Sequence, residues 1–499
     1  MSLQSFFQFF SLLLYISTIN GFSANPSAKE SSSVIHFQMI HRHAPELLGE
    51  KKLTHSERIK ELLHGDKVRM EILSHKRKLR NELGATSSSS SSRRRASQFH
   101  GDNSSFSFPL LSGSFTDTAS YYVTFRVGTP PQEFLLLLDT GSDLTWMNCR
   151  LKSNQGNRNA KELNTTKRVF HPEHSKTFKT IPCNTTLCRE DFADLMSNTV
   201  CPTPNSPCSY EYSYVSTEVA QGIFAYDTVT VNLTNGSKKK IPDMLIGCTQ
   251  VWNDSNSLSK ADGVFGLGFN SHSFVSNVYK KFHGKFSYCL MDQYATKNVT
   301  NYLTFGHRSS TQGIPPKMKF TTLGLIGDHF GVSVKGIYVN GVKLKIPAKV
   351  WDIEKGGGVV IDSGFSLTMW VQEAYGPIIA ALEKPLLGKL KRVESENFDS
   401  CFKVPNTTTM YESLVPKLEI EFLHGVRLKP AVSSYFIDAD DTGEVKCFGF
   451  SQTPVDDKEA SESNSISILG SMMQQNHLWE FDILQDRLGF APSSCVLPA

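Results

Sequence analysis

The stretch Phe134-Leu135-Leu136-Leu137-Leu138-Asp139-Thr140-Gly141-Ser142-Asp143-Leu144-Thr145-Trp146 constrains the fold more than any other part of the chain. Four consecutive leucines ahead of a turn signal predict a strand buried on both faces. That strand carries Asp139 into the interior, where a carboxylate persists only if its neighbours hydrogen-bond it, and such sites are often functional. Thr140, Gly141 and Ser142 offer small side chains and backbone donors for a tight turn. An isolated Asp-Thr-Gly is an ordinary turn sequence, and its weight comes from recurrence. Val359-Val360-Ile361-Asp362-Ser363-Gly364 repeats the strand, the Asp, the small hydroxyl residue and the Gly, with the second Asp 223 residues after the first. Two apolar residues and a glycine then follow each copy, as Val264-Phe265-Gly266 and as Ile468-Leu469-Gly470. Four elements in the order A, B, A, B indicate an internal duplication, with a period far longer than that of a solenoid repeat. Two halves that each present one Asp can face each other and bring Asp139 and Asp362 together as a carboxylate pair.

A chain of 499 residues exceeds a single core and predicts two or more compact units. Residues 1–23, with a Phe/Leu-rich centre from Phe6 to Ile16 and small residues at Gly21 and Ser23, read as a secretory signal peptide cut near Ser23, although its start lacks positive charge. No later stretch is long and apolar enough for a bilayer span, so no stable membrane anchor is expected. The C-terminus also lacks the hydrophobic tail of a lipid-anchor signal. All 10 cysteines lie between Cys149 and Cys495, and an even count behind a signal peptide predicts disulfides. Sequons at Asn103, Asn164, Asn184, Asn232, Asn235, Asn253, Asn298 and Asn406 agree with a glycosylated secretory route. No Cys or His cluster has zinc-site spacing, and neither a metal nor another cofactor is expected.

The formal charge of +4 belongs to one segment. Asn25 to Ser105 holds 15 Lys and Arg against 9 Asp and Glu, which leaves 37 against 39 for the rest of the chain. A near-neutral body argues against a nucleic-acid partner. Within residues 24–105, Ser56 to Leu79 follows an approximate amphipathic helix pattern interrupted by Gly65. The six-serine run Ser87 to Ser92 and Arg93-Arg94-Arg95 cannot build a core and read as a protease-accessible linker. A basic, removable segment ahead of a near-neutral body fits a propeptide.

From Phe106 onward the pattern is all-β with minor helices. Tyr121 to Val127, then Gly128-Thr129-Pro130-Pro131, predicts a hairpin into the Asp139 strand. Thr228 to Leu233, Tyr302 to Phe305, Val332 to Val339 and Leu418 to Phe422 read as further strands. The best helix pattern is Pro377 to Lys384, with Pro377 in the first turn and Pro385 ending it. Cys183 with Cys188 and Cys201 with Cys208 are expected to close as tight local pairs, and Cys401 with Cys447 as a third bridge. The remaining connectivity stays open.

These residues resemble the pepsin-like aspartic peptidases, in the atypical plant branch that includes the nepenthesins and the chloroplast-nucleoid-protein-like group. Asp139-Thr140-Gly141-Ser142-Asp143-Leu144-Thr145-Trp146 and Ile361-Asp362-Ser363-Gly364 look like the two active-site motifs. Ala261-Asp262-Gly263-Val264-Phe265-Gly266-Leu267-Gly268 and Ile468-Leu469-Gly470 look like the glycine elements that support them. Met39-Ile40-His41-Arg42-His43-Ala44-Pro45 is similar to a propeptide segment of that branch. The resemblance implies a bilobal β-fold, with residues 106–310 as the N-terminal lobe containing a Cys-rich insert and flap, and residues 311–499 as the C-terminal lobe. It implies a monomeric acid endopeptidase made as a zymogen, acting on protein or peptide substrates, with Asp139 and Asp362 catalytic. Thr140 and Ser363 would brace the motifs against each other, Gly141 and Gly364 would let backbone amides approach the carboxylates, and Ser142 would hydrogen-bond Asp139. Tyr210-Glu211-Tyr212-Ser213-Tyr214 and Gln221 to Ala225 resemble the flap hairpin, with Tyr214 hydrogen-bonding Trp146. The destinations this branch implies are extracellular or vacuolar, with the plastid as a further one.

Two departures bear on activity. Phe365 stands where the family has Ser or Thr, which removes a hydroxyl from Asp362. Val215-Ser216-Thr217 replaces the Gly-Asp-Gly that follows the flap tyrosine, and so predicts a stiffer tip. They favour the alternative of a non-catalytic cleft-binding relative, an inhibitor-like protein.

Overall fold

A computed structural model describes residue 66 and residues 106–112, 121–151, 168–192, 198–213, 219–233, 236–252, 261–292, 301–306, 317–327, 329–405, 411–440, 442–453 and 466–495. All of these fall in one compact unit, Val34–Ala499. The signal peptide, the Ser/Arg linker, Tyr214, the substituted flap tip at 215–217 and all of the Ser56–Leu79 pattern except Asp66 lie outside the described residues. No helix among the described residues is long and apolar enough to cross a membrane.

The duplication read from the sequence is a duplication of strand pairing. In the first half, β1 (Tyr121–Val127) runs antiparallel to β2 (Gln132–Asp139), in register from Tyr122 opposite Leu137 to Val127 opposite Gln132. Two further strands complete this half, β3 (Trp146–Asn148) and β4 (Gly263–Gly266). β4 lies parallel to β2, with Gly266 opposite Asp139, and antiparallel to β3, with Val264 opposite Trp146. The second half repeats this with β5 (Val359–Ile361), β6 (Thr368–Trp370) and β7 (Ser467–Leu469). β7 is parallel to β5, with Ile361 opposite Leu469, and antiparallel to β6, with Met369 opposite Ile468. In each half a strand from far along the chain is thus inserted between the two arms of the Asp-bearing turn. The insertion needs close approach: a Cβ on Gly470 would lie 2.0 Å from the Leu367 carbonyl oxygen.

The leucine run is continuous because both faces of β2 are covered. Phe134, Leu136 and Leu138 enter the main hydrophobic core, while Leu135 and Leu137 enter a second cluster with Trp146, Tyr210 and Phe224.

Among the described residues the strands form one sheet of 15 strands and three smaller ones. The large sheet crosses the sequence division at 310/311. The C-terminal hairpin His477–Asp482 and Arg487–Pro492 joins it through Lys285–Leu290, from Lys285 opposite Asp482 to Leu290 opposite His477. Phe286 stacks on Phe481 across this seam, with centroids 4.5 Å apart.

Two local readings require correction. The helix spans Gln372–Glu383, so Pro377 lies inside it rather than in its first turn. Burial of Ala374, Tyr375, Ile378, Ile379 and Leu382 holds it to the core, and the residue before the proline is Gly376, which has no Cβ to meet the pyrrolidine ring. The tight cysteine pairs do not form either: the bridges are Cys183–Cys201 and Cys188–Cys208. The segments holding them lie antiparallel at the Pro182/Pro207 bridge, with the Cys208 amide donating to Ile181 O and the Cys183 amide to Ser206 O. The sulfurs therefore meet across the two segments rather than along one. Cys401–Cys447 pairs as expected, from directly opposite positions on neighbouring strands. Cys149–Cys248 and Cys289–Cys495 complete the set, and the described residues contain no free cysteine.

Candidate active site

The two Asp-bearing turns are locked to each other by an exchange of hydrogen bonds. The Thr140 amide donates to Ser363 Oγ at 3.1 Å, and the Ser363 amide donates to Thr140 Oγ1 at 2.9 Å. Each hydroxyl then donates onward to the other strand, Thr140 Oγ1 to Ile361 O at 2.9 Å and Ser363 Oγ to Leu138 O at 3.1 Å. All four bonds are buried, and each hydroxyl uses both its donor and its acceptor capacity.

This lock sets the carboxylates at one place. Asp139 is 2% exposed and Asp362 fully buried. Asp139 Oδ1 accepts from the Gly141 amide at 2.8 Å and Oδ2 from Ser142 Oγ at 2.5 Å. Asp362 Oδ1 accepts from the Gly364 amide at 2.8 Å and the Phe365 amide at 3.3 Å. Asp362 Oδ2 packs so closely against Gly141 that a Cβ there would lie 2.0 Å from it. The glycine whose amide holds Asp139 therefore also carries Asp362 on its α-carbon, and no other residue type fits.

The donor sets differ. Ser142 gives Asp139 a hydroxyl, whereas position 365 gives Asp362 only a backbone amide. The Phe365 ring is buried with Val360, Met369 and Ile468 in an apolar cluster. Ser366 does not replace the missing hydroxyl; it is engaged through its backbone, whose carbonyl accepts from the Met472 amide.

Beneath the turns lies a support that sequence reasoning did not identify. Gln474, in the short helix Ser471–Gln474, donates through Nε2 to Asp362 O at 3.1 Å and Leu469 O at 2.8 Å. Its Oε1 accepts from the Tyr288 hydroxyl at 2.5 Å. Burial, together with the charge of Asp362, raises the Tyr288 pKa well above the ordinary 10.0, so the phenol remains a donor. Asp262, within the first glycine element, accepts the Leu135 amide at 2.7 Å and the Arg168 amide at 2.8 Å, which fixes the start of the leucine strand.

The flap reading places Ser209–Ser213 against Val219–Asn232 as an antiparallel hairpin, from Ser209 opposite Ile223 to Ser213 opposite Val219. Tyr214, and with it the expected bond to Trp146, lies outside the described residues. Trp146 is buried, and Tyr210 from the hairpin shares its cluster while bonding Thr249 Oγ1 at 2.7 Å. Among the described residues the group closest to metal-ligand geometry is Cys183, Cys188 and Cys201, and all three sulfurs are spent in disulfides.

Comparison with known proteins agrees with this geometry. The family profile described as Xylanase inhibitor N-terminal matches residues 121–307, and that described as Xylanase inhibitor C-terminal matches residues 329–492. The chain is 30% identical over 407 residues to Aspartyl protease family protein 2 of Arabidopsis thaliana, covering 78% of this chain and 74% of that protein. It is 26% identical to Aspartic proteinase nepenthesin-2 of Nepenthes gracilis, over 76% of this chain and 79% of that one. Among solved structures, Basic 7S globulin from soybean shares the fold with a TM-score of 0.58 and 19% identity, covering 79% of this chain and 96% of that one. With two matching Asp-bearing turns locked across a bilobal β-fold, the chain belongs to the plant family of pepsin-like aspartic proteases.

Proposed function

We propose that the chain is an aspartic endopeptidase made as a zymogen and active in acid. The observation that supports this best is the contact of Asp362 Oδ2 with Gly141, whose amide holds Asp139. Two carboxylates so placed cannot both ionise easily, so they share a proton and titrate as a pair. The ionised member takes a proton from a water as its oxygen attacks the peptide carbonyl carbon, and the protonated member gives its proton to the carbonyl oxygen. The tetrahedral intermediate collapses when the C–N bond breaks. The amide nitrogen takes a proton from one carboxyl and a hydroxyl proton of the intermediate returns to the other, which regenerates the singly protonated pair. Protein and peptide substrates, a monomeric enzyme and a secretory route to the extracellular space or vacuole belong to the same reading. So does processing at the signal peptide and within residues 24–105.

Incubation of the processed protein with a denatured protein substrate across acid pH tests it. The expected result is acid-dependent cleavage that pepstatin abolishes and Asp139→Asn lacks. Cleavage by the wild type no greater than by Asp139→Asn defeats the reading.

A second reading, a cleft-binding protein without turnover, is favoured by Phe365, whose ring turns into an apolar cluster and leaves Asp362 a backbone amide in place of a hydroxyl. The matching profiles are described by xylanase inhibitors, and the soybean structure is titled a globulin. The same incubation separates the two readings.

A further inference from the structure

Four consecutive backbone amides, at Gly364, Phe365, Ser366 and Leu367, point at two carboxylates. The first two serve Asp362. The next two serve Asp66: the Ser366 amide donates to Oδ1 at 2.9 Å and the Leu367 amide to Oδ2 at 2.8 Å. Asp66 lies 300 residues before Ser366, in the basic segment ahead of the main body, is helical, and is only 5% exposed. A carboxylate that gives one oxygen to each of two successive amides is held by charge-assisted bonds, which buried charge requires. Ser366 and Leu367 are themselves buried, so these amides too must find partners. They sit on the turn that holds Asp362, directly after the two amides that serve it.

We propose that the Ser366 and Leu367 amides form a carboxylate seat that latches the N-terminal segment onto the second active-site turn, with Asp66 as the latch. The latch keeps the segment on the main body after the chain between them is cut, and it withholds from substrates the donors beside Asp362. The withholding rests on the peptidase reading; the seat does not.

The test places a specific protease site in the Ser87–Ser92 run of the full chain and cuts there. Size-exclusion chromatography without reductant and hydrogen exchange of the peptide containing Ser366 and Leu367 then follow. The wild-type N-terminal piece is expected to co-elute with the body, with both amides protected. In Asp66→Ala and Asp66→Asn, the piece should bind about 100-fold more weakly and the two amides should exchange faster. Asp66→Asn keeps the shape of the side chain and serves if Asp66→Ala does not fold. A wild-type piece that leaves on cutting overturns the proposal, as does a variant piece retained as tightly as wild type with equal protection. Protein that retains the piece yet never cleaves substrate, even as Asp66→Ala, leaves the seat standing and defeats only the peptidase reading. Full peptidase activity with the piece still bound overturns the withholding.

Discussion

The Tyr288 hydroxyl donates to Gln474 Oε1 at 2.5 Å, while Gln474 Nε2 donates to the main-chain oxygen of Asp362 at 3.1 Å. One side-chain amide thus connects a strand of the first half to the Asp-bearing turn of the second, and all three groups are buried. Replacing Tyr288 by Phe keeps the ring and leaves Gln474 Oε1 buried without this donor. The expected cost is about 1–3 kcal/mol of stability, read as a lower thermal midpoint. An unchanged midpoint means that the amide has re-paired.

Gly141 is expected to tolerate no side chain. The methyl group of Gly141→Ala would overlap Asp362 Oδ2 and force the two carboxylates apart. Displacements of this size are worth about 100-fold or more in rate, so turnover of a denatured substrate should fall at least that far. Activity near wild type shows instead that the turns can separate without loss.

Digestion without reductant, followed by mass spectrometry, checks the cysteine connectivity. Peptides joined through Cys183–Cys201 and Cys188–Cys208 are expected. Recovery of peptides holding an internal Cys183–Cys188 link contradicts the antiparallel arrangement of these segments.

Acid should weaken the fold near the C-terminal hairpin. Burial holds the His477 imidazole below its ordinary value of 6.5, against the opposing bond to Gln475 O. Below about pH 6.5 the unfolded chain takes up a proton that the folded chain refuses, so stability present at neutral pH is lost as pH falls toward the depressed value. His477→Gln removes that group, and the drop in thermal midpoint between about pH 7 and pH 5 should shrink relative to wild type. An unchanged drop assigns the sensitivity to other groups.

The parts of the fold legible in the sequence are those written in local pattern. Asp139 and Asp362 stand out because each ends an apolar run in a turn of small residues. The glycine elements stand out because only glycine allows a strand between the arms of such a turn. Partnership between distant side chains leaves no such mark: Gln474 looks like any polar residue until Tyr288, 186 positions away, meets it. The cysteines erred for the same reason, since proximity along the chain favoured Cys183 with Cys188 while an antiparallel neighbour supplied the partner. Pro377 erred in the opposite sense, because burial of one helix face outweighed a local breaker already eased by Gly376.

The Cys289–Cys495 bridge closes a span of 206 residues, with Cys401–Cys447 nested inside it. The second half of the chain is therefore a covalent ring rather than a tail. A single nick between these cysteines would open the ring without releasing a fragment, and the two pieces would part only once a reductant was added.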